Sequence, residues 1–242
     1  MIDVHRHSGR RLSPHGDQHA RVAFGPWAHD SPLTNGFGGR GGLSEIQLPP
    51  AGRFTPGASD AEEIVTYVYS GGLVLEDPNG GQAVAYAGEF LRSALPHAAD
   101  DREIRASTTA GAHVFRVSLC RLDAGPGQAG ERARFTEAQR RNRVCAVASP
   151  DARDGSLQVH HDAVVCSSVL DSGHHFPYLL RPMRTVWVHV VNGSAMFGEH
   201  LLRSGDTVGV TGEPWVSFVA QQTSEVLLID LGLHDAAEPR PS

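Results

Sequence analysis

The side chains able to do chemistry in this 242-residue chain are histidines, carboxylates, arginines and three cysteines, for it has no lysine. That absence excludes lysine Schiff bases, pyridoxal phosphate attachment and a phosphate-loop lysine. Of the 14 His, His5, His7, His15 and His19 crowd the N-terminus, where no helix or strand is expected to fix them. They read as a polar tail with adventitious affinity for metal. His174, His175, His189 and His200 form no His-x-His pair on a strand, and His189 reads as a hydrogen-bonded histidine between strands. Cys120, Cys145 and Cys166 are odd in number and widely spaced, which suggests neither a disulfide framework nor a zinc knuckle. Cys120 and Cys166 lie at apolar runs and are expected to be buried and inert. A charged turn, Asp100 to Glu103, gathers carboxylates.

The elements that must position these groups are strands. Apolar runs of about four to eight residues recur between Gly, Pro, Asn and Asp clusters, the punctuation of an all-β protein. Strands are expected at 63–69, 72–76, 83–87, 113–121, 163–169, 185–191, 195–197, 207–210, 216–220 and 225–231, with one short helix at 135–143. A weak repeat relates Thr66-Tyr-Val-Tyr-Ser-Gly71 and Ala87-Gly88-Glu89 to Trp187-Val-His-Val-Val-Asn-Gly193 and Ser204-Gly205-Asp206. Two β domains of similar plan follow, residues 1–124 and 149–242, joined by a linker over 125–148 that holds Gly125-Pro-Gly-Gln-Ala-Gly130. In 185–191, Val186, Val188 and Val190 make a uniform aliphatic face opposite a more varied one. Trp187 and Trp215 are expected to pack inside.

The formal charge of -6 shows no concentrated positive field, so nucleic acid is not an expected partner. Arg132 to Arg143 is broken by Glu137 and reads as a solvated face. The N-terminus lacks the apolar stretch of a signal peptide and no run is long enough for a membrane span, so a cytoplasmic monomer is the expectation.

Several segments resemble the bacterial pirin-like proteins: Ser149-Pro-Asp-Ala-Arg-Asp-Gly-Ser-Leu-Gln-Val-His-His-Asp162, Glu63-Ile-Val-Thr-Tyr-Val-Tyr-Ser-Gly71, Ala87-Gly-Glu-Phe90, Val186-Trp-Val-His-Val-Val-Asn-Gly193 and Ser224-Glu-Val-Leu-Leu-Ile-Asp-Leu231. The resemblance implies a bicupin, two tandem antiparallel β-barrels of the jelly-roll kind. It further implies one iron or similar metal in the N-terminal barrel, held by three His and one Glu. Family members are linked to quercetin 2,3-dioxygenase activity, and the animal protein to transcriptional coregulation.

The implied ligand positions depart from that pattern. Where the family has His-Pro-His, this chain has Gly57-Ala58-Ser59, and the His-x-Glu pair falls on Asp101-Arg102-Glu103. A shifted match supplies His97 but leaves Ala99 for the carboxylate. Gly57, Ser59, Asp101 and Glu103 offer two carboxylates and no nitrogen, a poor set for iron, copper or zinc, so no cofactor is expected, iron being the alternative. Parity along a strand puts residue 63 on the side of 57 and 59, so Glu63 is expected to join Asp101 and Glu103 in one cavity as acid and base groups. The expected function is metal-independent cyclisation or isomerisation of a small organic molecule in the N-terminal barrel. Its alternatives are a metal-dependent dioxygenase and a non-catalytic ligand- or protein-binding regulator.

Overall fold

The structure is a computed structural model, and it describes residues 1–9, 20–24, 33, 41–54, 63–76, 82–94, 104–119 and 130–232. The first part contains β1 (Ile2–His5), β2 (Ala20–Phe24), β3 (Gly42–Leu48), β4 (Arg53–Phe54), β5 (Glu63–Glu76), β6 (Gln82–Tyr86), β7 (Glu89–Ala94), β8 (Ile104–Ala106), β9 (Ala112–Leu119) and β10 (Glu131–Arg134). A single helical turn, α1 (Glu137–Arg140), precedes β11 (Cys145–Ser149), β12 (Leu157–Gln158), β13 (Ala163–Leu170), β14 (His175–Leu179) and β15 (Arg184–Asn192). The chain continues through β16 (Ser194–Phe197), β17 (His200–Arg203), β18 (Thr207–Thr211), β19 (Trp215–Ala220) and β20 (Ser224–Gly232). The all-β expectation holds.

In the second barrel a seven-stranded sheet, ordered β1-β18-β15-β20-β13-β11-β12, faces the four-stranded sheet β14-β19-β16-β17. In the first, β10-β7-β5-β9-β3-β2 makes the larger face. The long strand β5 leaves it, and its second half pairs with β6 and β8, the latter also pairing with β4. The repeat is visible in the backbone. Gly88 N–H donates to Val68 O at 2.8 Å, and Gly205 N–H to Val190 O at 2.7 Å. Both glycines have φ near +90° (+86° and +89°), a region that side chains disfavour.

Strict alternation sorts each large sheet into two faces. Val186, Val188 and Val190 of β15 fill the second barrel with Val164, Cys166, Val226 and Leu228. The varied face is covered by the other barrel: Trp187, Val191, Val165 and Ile229 meet Val65, Tyr67, Phe90, Phe115 and Val117 in one shared core. The two barrels therefore bury each other's large sheets. Residues on the opposite side of β5 and β9, Val68, Ala112 and Val114, fill the first barrel with Ile46, Leu73 and Ile104.

The expected division of the chain is crossed in both directions. Ile2–His5 pairs with β18 as an edge of the second barrel's sheet, with Ile2 opposite Val210. Within the expected linker, β10 pairs with β7 of the first barrel and β11 with β13 of the second. The N-terminal histidines need the same correction. His5 is in a strand with its ring 5.5 Å from Trp187, and His7 donates its N–H to Asp206 at 2.8 Å. His15 and His19 lie outside the described residues. Trp187 is fully buried as expected, but Trp215 is 59 % exposed, because β19 turns it to solvent opposite buried Val216 and Phe218. The helix expected over 135–143 shortens to 137–140. Thr136 caps it through a capping box with Gln139, and extended backbone at Arg141 ends it.

Candidate functional site

Gly57, Ser59, Asp101 and Glu103, with His97 and Ala99, lie outside the described residues. The strands that bracket them are described. Phe54 of β4 stands opposite Ile104 of β8, so the two segments leave the same end of one antiparallel pair. Their donor chemistry, two carboxylates without imidazole, does not fit a transition metal held by three nitrogens and one carboxylate. Among the described residues no group of three or more His, Cys, Asp or Glu is placed to hold a metal ion.

Glu63 is the one expected site carboxylate that the structure describes, and it points elsewhere. It shares a face of β5 with Val65 and Tyr67 of the shared core, so it turns towards the second barrel and not into the first. Its side chain is wholly buried, with Arg92 Nη1 3.3 Å from Oε1. Oε2 accepts the backbone N–H of His160 at 2.7 Å, and His160 Nδ1 lies 3.2 Å from Oε1. Arg92 also reaches Glu131 at 3.1 Å. These bonds hold the carboxylate at the junction of the barrels, which corrects the expectation that Glu63 lines the cavity. Residues 57 and 59, to which parity tied Glu63, lie outside the described residues, and the face of β5 that carries Glu63 packs in the shared core.

What does face into the first barrel is polar at one end. On β9, Arg116 and Ser118 alternate with Phe115, Val117 and Leu119 of the shared core, so they lie on the barrel side with Val114. Arg116 stands opposite Ser44 of β3 and Thr66 of β5. Ser118 stands opposite Ile64, whose other neighbour is Ser93. Thr66 is buried, while Ser44, Ser93, Arg116 and Ser118 keep partial access to solvent. The other half of the interior is a plug of Leu48, Val68, Leu73, Ala85 and Val114. Hydroxyls around one guanidinium are donors suited to an anionic or oxygen-rich molecule. Sequence analysis missed Arg116. The available signal was an arginine at an inward parity position within Val114-Phe-Arg-Val-Ser118.

Two further clusters sit where the barrels meet. Glu45, 6 % exposed, accepts from His113 Nε2 at 2.9 Å and from Gln47 at 3.1 Å, which orients the half-buried imidazole. Tyr69 packs edge-on to His113 with centroids 5.2 Å apart. Burial, reinforced by Glu225, pushes the Tyr69 hydroxyl above its ordinary pKa. Deeper in, Glu225 accepts from Tyr67 and from Arg140, both at 2.5 Å, and Arg140 donates to Ser167 at 2.8 Å. Burial first and Glu225 second raise the Tyr67 pKa strongly, so it remains a neutral donor. His189 is hydrogen-bonded between strands as expected, with Nδ1 2.8 Å from Thr207 Oγ1.

Residues 146–231 match the model of the quercetinase C-terminal cupin domain. Quercetin 2,3-dioxygenase of Escherichia coli strain K12 is 31% identical over 169 residues, 70% of this chain and 72% of that protein. Among solved structures, the bacterial pirin YhhW of Escherichia coli in complex with nickel(II) superposes with a TM-score of 0.77 at 26% identity, covering 96% of this chain and 99% of that one. A quercetin 2,3-dioxygenase from Acinetobacter baumannii shares the fold at a TM-score of 0.71 and 13% identity, covering 98% of this chain and 87% of that one. No helix among the described residues is long and apolar enough to cross a membrane.

Proposed function

This chain belongs to the pirin-like bicupin family, and from that premise we propose that it binds and converts a small organic molecule in the first barrel without a transition metal, in the manner of a cyclase or isomerase. The observation that supports this reading is the inward polar set, Arg116 opposite Ser44 and Thr66, in a chain whose sequence has Gly57 and Ser59 where the family has imidazoles. Arg116 supplies a fixed positive charge for an anionic or enolate-like oxygen, and the serine and threonine hydroxyls orient it. Asp101 and Glu103, two carboxylates of one charged turn of the sequence, are the acid and base groups of the proposal. Holding a flexible substrate in its reactive conformer supplies the remaining acceleration.

The second reading is a metal-dependent dioxygenase, favoured by the names of the relatives. It requires nitrogen ligands, and at the matching positions this chain keeps only the carboxylate of Glu103 with Asp101 beside it. The test is metal content of untagged protein after incubation with iron(II) or nickel(II) and dialysis, followed by oxygen uptake with quercetin. The expected result is well under one metal per chain and no oxygen uptake. About one metal per chain with oxygen consumption overturns the metal-independent reading. Should quercetin bind saturably and be recovered unchanged, Arg116→Gln is expected to weaken it about tenfold or more, as loss of one charge-assisted hydrogen bond implies.

A further inference from the structure

We propose that the concave outer face of the first barrel is a second binding site, taking a small organic anion in which a phosphate or carboxylate is carried on a flat apolar body. The face is formed by β4, β8, β6 and the second half of β5, and it encloses a cavity of about 650 Å³. That is within the size range of small-molecule sites. It is separate from the barrel interior by strand parity. Arg105 sits between buried Ile104 and Ala106, and Arg53 precedes buried Phe54, so the two guanidinium groups line the outer cavity while their neighbours fill the core.

Arg53 and Arg105 are directly opposed in register on adjacent antiparallel strands. In that register two guanidinium groups project from neighbouring strands into the same cavity. An oxyanion placed between them accepts two charge-assisted contacts. Each guanidinium also interacts within the chain, so the anion joins an existing arrangement. No carboxylate is among the described residues lining the cavity. Glu89, the acid near its edge, is engaged by the Tyr86 N–H at 2.8 Å, and Arg132 reaches Val84 O at 3.1 Å from the same side.

The rest of the cavity fits the body of such a ligand. Val74 lines it, and Val84 and Tyr86 present 38 % and 58 % exposed apolar surface on one face. The floor is Gly72, where an added Cβ would come 3.3 Å from Ser107 Cβ and narrow the cavity. On the rim the hydroxyls of Ser107 and Thr109 are 3.2 Å apart. One of them donates to the other, which leaves one O–H for the anion.

The probes are phenylphosphonate, methylphosphonate and benzoate, titrated calorimetrically into the full-length protein without added metal. Saturable binding of phenylphosphonate or of benzoate is expected, and whichever binds identifies the anionic group. Arg53→Ala and Arg105→Ala are each expected to weaken binding at least tenfold. Tyr86→Ala, at an exposed position, is expected to bring phenylphosphonate down to the affinity of methylphosphonate. Should Arg105→Ala fail to fold, Arg53→Ala and Tyr86→Ala carry the test. The proposal is overturned if neither aromatic anion binds, or if these variants fold and bind as the parent does.

Discussion

The Glu63 carboxylate accepts the backbone N–H of His160 across the junction of the two barrels, at 2.7 Å and out of contact with solvent. With Arg92 on the other oxygen, a strand of the first barrel is fastened to the segment that opens the second. Glu63→Ala removes one of the two carboxylates on the fully buried Arg92 and the acceptor of the His160 N–H, so a loss of about 1–3 kcal/mol in unfolding free energy is expected. Denaturant titration measures it, and Glu63→Gln, which retains an acceptor oxygen, should lose less. Stability unchanged in Glu63→Ala would refute this role.

Arg140 and Glu225 form the second fastening, with Tyr67 as a neutral donor between barrels. Tyr67→Phe removes the hydrogen bond it donates to Glu225 and the one it accepts from Arg140 but leaves the ion pair, for an expected cost of about 1–2 kcal/mol. Arg140→Ala leaves Glu225 facing a buried hydroxyl without its cation and is expected to cost more. A double-mutant cycle between Arg140 and Tyr67 should show coupling above ~0.5 kcal/mol, because the two share Glu225. Additive losses would show that they act separately.

The strands legible in the sequence were those with a uniform aliphatic face or a glycine turn. β13, β15 and β20 appear within one or two residues of their expected bounds, and Gly88 and Gly205 mark the same hydrogen bond in both barrels. β3 and β7 were missed because inward Ser44 and Ser93 and buried Glu45 and Arg92 interrupt their hydrophobic pattern. The interruptions are the informative residues, since they belong to the barrel pocket and the junction. β1 was missed because its partner, β18, is some two hundred residues away and no local signal reports it. The direction of Glu63 was illegible for a related reason: both sides of β5 are buried, one in each core, so burial alone cannot choose between them.

Asp206 holds the N-terminal segment on the second barrel. It accepts the His7 N–H at 2.8 Å and the Arg203 N–H at 3.0 Å, and pairs with Arg6 at 2.9 Å. Burial alone would raise its pKa, but these bonds together outweigh burial and lower it. A depressed carboxylate stabilises the fold above its unfolded pKa of about 4, and the contribution disappears as pH falls through the lower folded value. Asp206→Asn is therefore expected to speed amide hydrogen exchange over residues 2–7 at neutral pH while leaving β15 protected. The parent should show the same local loss only in strong acid. Unchanged exchange in the variant would remove Asp206 from this role.

Cys166 behaves oppositely with pH. Burial, with Asp230 as the lesser cause, pushes its thiol up to about 12, against about 8.5 in an unfolded chain. Between those values the unfolded state releases a proton that the folded state keeps, so this contribution is complete below about pH 8.5 and is lost as pH rises towards 12. Tyr178, raised by burial and Asp230, adds a loss of the same sign at higher pH. Iodoacetamide at pH 8, read by peptide mass spectrometry, should label half-buried Cys145 in the native protein and spare Cys166 until denaturant is added. Denaturant midpoints should fall from pH 9 upward. Rapid native labelling of Cys166 would mean that β13 opens locally, and the alkaline loss would then be assigned to another group.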